Sequence, residues 1–312
     1  MNYFIKKVLT LIITLFLVSL LAFLAFQVIS DPAAAILGTK ATPESIAELR
    51  HQLGLDRPLP VQYLDWIVSA LRFDFGTSYS YKLPVSGMVL QKLPVTAGIT
   101  FISFLLMLFF SFLFGLISVH HAGGIVDRVL TVSGQICMSV PAFIIGVAFT
   151  YIFGIVLRFF TPGQFIRFAD DSVKSFIGLF FPALAIAVPR TAMTVKMLKA
   201  SVLNQMNNDY VRTAYSRGDS TDGVLKRHVL RNAVIPVITF IASSMAEIVA
   251  NCILVEQVFA LPGIGVLLLA SIGSRDFPVV QAIAVLLGCW VIVVNFIADL
   301  LYQLADPRIR LG

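Results

Sequence analysis

The sequence predicts an all-α polytopic membrane protein, and three observations carry that prediction. Of its 312 residues, 58% are hydrophobic and only 13% are charged, with a mean hydropathy of +0.90. That charged share is about half that of a soluble domain, too little to clothe a water-exposed surface. Six stretches reach the about 20 apolar residues that a helix needs to cross a bilayer, and basic residues are distributed unevenly between their connections. A soluble globule, a disordered chain and a disulfide scaffold are thereby excluded. Cys137, Cys252 and Cys289 lie singly in apolar runs without metal-ligand spacing, as small buried side chains do.

The first stretch, Val8–Ile29, follows Lys6 and Lys7. Ala33-Ala34-Ala35 resembles a signal cleavage site, but an uninterrupted run of 22 residues exceeds the apolar core of a signal peptide, about 7–15 residues. A retained helix is expected. Val95–Val119 and Val129–Leu157 carry no charge. Ser175–Val195 contains Pro182, Pro189 and Arg190, with kinks expected at the prolines. Ala233–Val255 contains Glu247, and Val279–Ala298 is uncharged. The 196–231 connection holds Lys196, Lys199, Arg212, Arg217, Lys226, Arg227 and Arg231, whereas 256–278 holds only Arg275. The positive-inside bias therefore puts 196–231 in the cytoplasm. With six spans both termini join it there, in agreement with Lys6, Lys7, Arg308 and Arg310. The net charge of +6 (23 Lys+Arg, 17 Asp+Glu) is explained by this topology rather than by nucleic acid.

Three parts are expected: a first helix at 1–29, an external helical subdomain at 30–94, and a five-helix core at 95–312. In the external segment Thr42 caps a helix that begins at Pro43-Glu44 and closes at Gly54. Ile46, Leu49 and Leu53 give one apolar stripe; after Pro58 and Pro60, Val61, Leu64, Val68 and Leu71 give a second. These two helices either cap the membrane face or offer a docking surface to a soluble partner. In the connection at about 196–232, Asp209 can cap a helix ending at Gly218, and Ser220 or Thr221 can cap a second, short helix. An ordered helix–turn–helix is expected there.

The 209–236 segment resembles the "EAA" loop of inner-membrane permeases of binding-protein-dependent ABC importers, in the form found in the dipeptide/oligopeptide/nickel branch. Ala214 and Gly218 match the wider pattern, while Arg212, Thr213, His228 and Arg231 depart from it as that branch does. Further matches are Gly54-Leu55-Asp56-Arg57-Pro58-Leu59 with Gln62-Tyr63, and Phe73-Asp74-Phe75-Gly76-Thr77-Ser78 with Pro84-Val85. Others are Glu256 to Gly265, Arg275-Asp276-Phe277-Pro278-Val279-Val280-Gln281, and Asp306-Pro307-Arg308-Ile309. The resemblance implies a type I ABC importer permease fold with six transmembrane helices in a prokaryotic inner membrane. It also implies a second homologous permease as heterodimer partner, one or two cytoplasmic ATPases and an extracytoplasmic substrate-binding protein. Peptides, nickel or metal chelates are the implied cargo. The loop would form a coupling helix seated in an ATPase groove, through Asp209, Arg212, Thr213, Ala214, Arg217, Gly218, His228 and Arg231. Small Ala214 and Gly218 would admit the ATPase surface closely. The chain contains no G-x-x-x-x-G-K-[ST] phosphate loop, so it is expected to bind no cofactor. ATP and Mg belong to the partner ATPases.

Ser244, Glu247 and Asn251 fall at i, i+3 and i+7 of the fifth span. They read either as a pathway-lining stripe meeting a substrate cation, or with Glu247 neutral or paired to Arg190 or a neighbouring subunit. Asn295, Asp299, Tyr302 and Asp306 form a stripe suited to interfacial hydrogen bonding. His120 and His121 adjoin Gly123-Gly124 in an internal turn and lack further ligands for a metal. Pro262-Gly263-Ile264-Gly265 suits an external or re-entrant hairpin. An intramembrane enzyme would need a nucleophile–base pair at common depth, yet His51, His120, His121 and His228 all lie outside the apolar runs. An autonomous secondary carrier is the remaining alternative, but it would leave the EAA-like loop idle and often shows internal repeats, which are not evident.

Overall fold

The computed structural model describes residues 3–29, 33, 37, 42–52, 54–166 and 169–305. Lys6's side chain, Leu53, Arg308, Arg310 and the 306–309 motif lie outside the described side chains. Regular structure among the described residues is helical, apart from one bridge between Thr77 and Pro84. The helices are α1 (Tyr3–Ile29), α2 (Pro43–Gln52), α3 (Leu59–Leu71), α4 (Val85–His120), α5 (Ile125–Ser139) and α6 (Ala142–Phe149), which continues as a π-turn over Thr150–Val156. Then come α7 (Ser172–Met206), α8 (Asp209–Ser216), α9 (Thr221–Val258, with a π-turn at Leu225–Val229), α10 (Ile264–Gly273) and α11 (Phe277–Ala305).

Five of these are long and apolar enough to cross a membrane by themselves: α1, α4, α7, α9 and α11. The sixth expected span, Val129–Leu157, is instead two helices bent by 98° where Val140 and Pro141 interrupt them. Proline has no amide hydrogen and opens a new helix easily at its first turn. Pro182 and Pro189, by contrast, lie inside the continuous α7.

Two compact units form, 1–94 with 262–293 and 95–261 with 294–312. Residues 262–293 thus cluster with residues 1–94, whereas the sequence grouped them with a core at 95–312. The reason is packing: Phe75, Val85 and Val89 share one apolar cluster with Ile264, Leu267, Val279, Ala282 and Ile283. In the same unit α1 is held by α3. Tyr63 sits edge-on to Phe16 and Phe23 (ring centroids 5.8 and 5.5 Å) and its hydroxyl shares a 2.8 Å hydrogen bond with Ser19. Gly288 lets α1 approach α11, since a Cβ there would lie 2.6 Å from Val18 Cγ1.

The apolar stripe expected of α3 points away from the chain: Val61, Leu64, Val68 and Leu71 are exposed, while Gln62 and Tyr63 are buried. Gln62 donates to the carbonyls of Leu55 (2.9 Å) and Arg57 (2.7 Å). It thereby satisfies a turn that would otherwise leave acceptors unpaired.

In the second unit α7 packs on α5, α6 and α9 around Ile99, Met107, Ile186, Leu198, Val202, Ile248 and Phe259. Burying such side chains is worth about 1.5–3 kcal/mol each in water. Within a bilayer, close packing and polar contacts take over that role.

Candidate functional site

The 196–232 connection is ordered. α7 runs on to Met206, α8 follows after Asn207 and Asn208, and Ser220 caps α9 by accepting from the Gly223 amide at 3.2 Å. The second helix is not a separate short one but the start of the span itself, through the π-turn at Leu225–Val229. Only the residues from Arg217 to Ser220 separate α8 from that long helix.

α8 has two faces. Val211 and Ala214 are buried in the same apolar cluster as Val202, Val224, Leu225, Val229 and Ala233. Asp209, Arg212, Thr213, Ser216, Arg217 and Gly218 are exposed. The small size of Ala214 consequently serves packing inside the chain, not approach of a partner's backbone. Gly218 is required for a different reason. It ends α8 at φ +88°, its amide donates to Tyr215 O (2.9 Å), and the Asp219 amide donates to Ala214 O (3.3 Å). Residues with a Cβ rarely adopt that conformation, although the space around a Cβ there is open.

The turn is fastened by side chains. His228 Nε2 lies 3.6 Å from Asp219 Oδ2, across the junction of α8 and α9. His120 Nδ1 lies 3.2 Å from Asp222 Oδ1, linking the end of α4 to the start of α9. Arg212 lies 3.7 Å from Asp209, both highly exposed, and Arg231 is exposed on α9. The surface so formed is cationic, with an apolar root and a short connection to a long apolar helix.

The membrane-depth stripe is not a single polar face. Ser244 is buried and its hydroxyl donates back to Phe240 O at 2.9 Å. Asn251 donates to Glu247 O at 2.7 Å. Glu247 forms an ion pair with Arg190 of α7; the Arg190 side chain is 16% exposed and that of Glu247 55%. Pairing with Arg190, one of the two sequence readings, is what the structure contains. It leaves part of the carboxylate accessible.

Several polar residues structure this chain without any periodic signal in the sequence. Asp127 is buried and accepts from Lys199 Nζ (2.5 Å), Ser118 Oγ (2.6 Å) and the Gly123 amide (2.9 Å), closing the 120–124 turn and tying α5 to α7. Glu256, fully buried at the end of α9, accepts from Thr96 Oγ1. Asp276, also fully buried, accepts from Ser78 Oγ and from the amides of Tyr79 (2.9 Å) and Ser80 (3.2 Å). Pro262-Gly263 leads into α10, with Gly263 as N-cap. Of the last polar stripe, Asn295 is exposed, and the side chains of Asp299, Tyr302 and Asp306 lie outside the described residues.

With this geometry in place, comparison with known proteins is specific. Residues 107–311 match the family described as "Binding-protein-dependent transport system inner membrane component", and residues 1–100 match the N-terminal family of the same membrane component. The chain is 34% identical over 309 residues to a probable peptide ABC transporter permease protein, y4tP, of Sinorhizobium fredii, spanning 99% of both chains. It is 35% identical over 314 residues to the glutathione transport system permease protein GsiC of Salmonella choleraesuis, again spanning 99% of both. A putative peptide transport system permease protein of Brucella abortus is 32% identical over 306 residues, 98% of each chain.

Proposed function

Because this chain belongs to the binding-protein-dependent transport system inner-membrane component family, we propose that it forms half of a peptide translocation pathway and couples it to ATP hydrolysis. It is a multi-pass inner-membrane permease subunit of an ABC importer. Short peptides are the proposed cargo, in keeping with what the relatives in Sinorhizobium, Brucella and Salmonella are named for. A second homologous permease completes the pathway, and an extracytoplasmic binding protein delivers the peptide. One or two cytoplasmic ATPases bind ATP and Mg. Both termini and α8 face the cytoplasm.

The observation that carries the coupling is the build of α8–α9. Arg212, Thr213, Arg217 and Gly218 are presented outward on a helix rooted by Val211 and Ala214. The turn after it is fastened by His228 and Asp219, and Arg231 extends the cationic surface. Closure of an ATPase pair against this surface moves α8, and the unbroken Thr221–Val258 helix carries the movement into the membrane. Glu247, half-exposed beside Arg190, offers its free carboxylate edge to the peptide's ammonium group, with Asn251 next to it. Ser244 is withdrawn from that role by its burial.

The test is reconstitution of the purified transporter in proteoliposomes, following uptake of a labelled dipeptide and ATP hydrolysis with and without binding protein. Uptake that requires ATP and the ATPase subunits is expected. Uptake driven by an ion gradient without those subunits would overturn the proposal in favour of an autonomous carrier.

A further inference from the structure

We propose that the cleft between α4, α5 and α7 binds an acyl chain of an anionic phospholipid, with the lipid phosphate at Lys196 and Lys199. The cleft encloses about 410 Å³, within the usual size of a small-molecule site, roughly 300–1,000 Å³. Its length is apolar: Phe110 and Phe114 from α4, Met138 from α5, and Leu184 and Val188 from α7 line it. Lining residues on α7 run from Leu184 to Lys199, about 22 Å along the axis at the helical rise. That is a long, narrow apolar slot, the shape of an extended hydrocarbon chain rather than of a compact solute.

The charged groups of the slot are gathered at one end. Lys199 donates to Asp127 Oδ1 (2.5 Å) and Thr131 Oγ1 (3.2 Å), so its position is fixed and its charge is balanced. Lys196, one turn away, is exposed and forms no ion pair among the described residues. Two ammonium groups against one carboxylate leave a net charge of +1 at that end, complementary to the single charge of a phosphodiester. Basic pockets between membrane helices on the cytoplasmic side suit anionic headgroups. Two of the three walls, α4 and α7, are long and apolar enough to cross a membrane, and α5 is the first half of the bent sixth candidate, so the cleft belongs to a bundle surrounded by hydrocarbon.

Cys137 lines the cleft and reports its occupancy. The full-length chain, purified with its associated subunits and delipidated in detergent, is titrated with phosphatidylglycerol or phosphatidylcholine. Alkylation of Cys137 by N-ethylmaleimide is followed by mass spectrometry, with Cys252 and Cys289 as internal references. Phosphatidylglycerol is expected to protect Cys137 at a concentration about fivefold lower than phosphatidylcholine, the factor that one interfacial lysine supplies. Lys196→Gln is expected to bring that ratio to about one while both lipids still protect. Ala192→Leu, which narrows the slot, is expected to weaken protection by both. Equal protection by the two headgroups in the wild type would overturn the proposal. So would alkylation that no lipid changes, the result if a second permease subunit covers the cleft.

Discussion

Replacing Asp276 by Ala should release the 76–84 loop from the start of α11. The carboxylate is fully buried and accepts from the Ser78 hydroxyl and the amides of Tyr79 and Ser80. It stands at the N-terminus of α11, where the helix dipole favours negative charge. A hydrogen bond to a charged group contributes about 1.5–3 kcal/mol, and an orphaned, half-buried amide costs about 1 kcal/mol. The Ser80 residue is exposed, so its amide turns to water at little cost. Removing the carboxylate also recovers part of its desolvation penalty. The net loss is about 3 kcal/mol, or roughly a hundredfold rise in the opened population. Tryptic cleavage after Lys82 reads that population, because the Lys82 amide is held to Ser78 O at 3.1 Å while the loop is closed and native-state proteolysis tracks opening. Asp276→Asn, which keeps one acceptor oxygen, should raise cleavage about tenfold. Ser78→Ala combined with Asp276→Ala should be less than additive, since both delete one bond. Equal cleavage in wild type and Asp276→Ala would refute the reasoning, leaving the apolar cluster alone to hold the loop.

Burial, and then the Asp276 charge, push the Tyr79 phenol above its ordinary 10.0. The protonated form is the one the fold favours, so this contribution is fully present below pH 10 and is lost as pH rises through the raised value. Thermal unfolding should therefore worsen above pH 10 in the wild type and less so in Tyr79→Phe. At Gly218, Asn and Asp share tolerance of positive φ and nearly share shape. Gly218→Asn should retain coupled uptake while Gly218→Asp uncouples it, and matching behaviour in the two would remove charge as the cause. Glu247→Gln strands the Arg190 cation and should lower the unfolding midpoint, and adding Arg190→Gln should restore it; peptide uptake that stays low in the double variant marks Glu247 as a pathway residue, and full recovery marks it as structural. Asp127→Asn removes the charge from a pair whose lysine is 22% exposed and keeps one acceptor oxygen, a loss of about 1.5–3 kcal/mol. It should expose the 120–124 turn to hydrogen exchange.

Composition and periodicity were enough for the helical membrane class, because hydrocarbon demands long apolar runs whose backbone is satisfied internally. Ser220 and Gly218 likewise announced the α8–α9 turn, because they act locally, within a few residues of their own backbone; Asp209 does not cap α8 as expected, since Asn208 occupies that position without a side-chain hydrogen bond and Asp209 lies in the first turn. Which face of α8 turns inward was not legible. Ala214 and Gly218 are equally small in sequence, but one packs against Val224 and Leu225 while the other only needs a left-handed φ. The stripe on α3 was legible and lies exposed, but the burial of Gln62 and Tyr63 beside it was not, because it depends on contacts with Leu55, Arg57 and α1.

The sequence by itself determined the apolar spans, the concentration of positive charge at 196–231 and the local stops and starts of that segment, all of which depend on neighbours along the chain. Tertiary structure alone decided that 262–293 packs with residues 1–94, that Arg190 neutralises Glu247, and that Asp127 and Asp276 are buried acceptors. The Arg190–Glu247, Lys199–Asp127 and Ser78–Asp276 contacts join residues 57, 72 and 198 positions apart. A buried charge is tolerated only where donors from elsewhere in the fold converge on it, and that convergence has no counterpart in linear spacing.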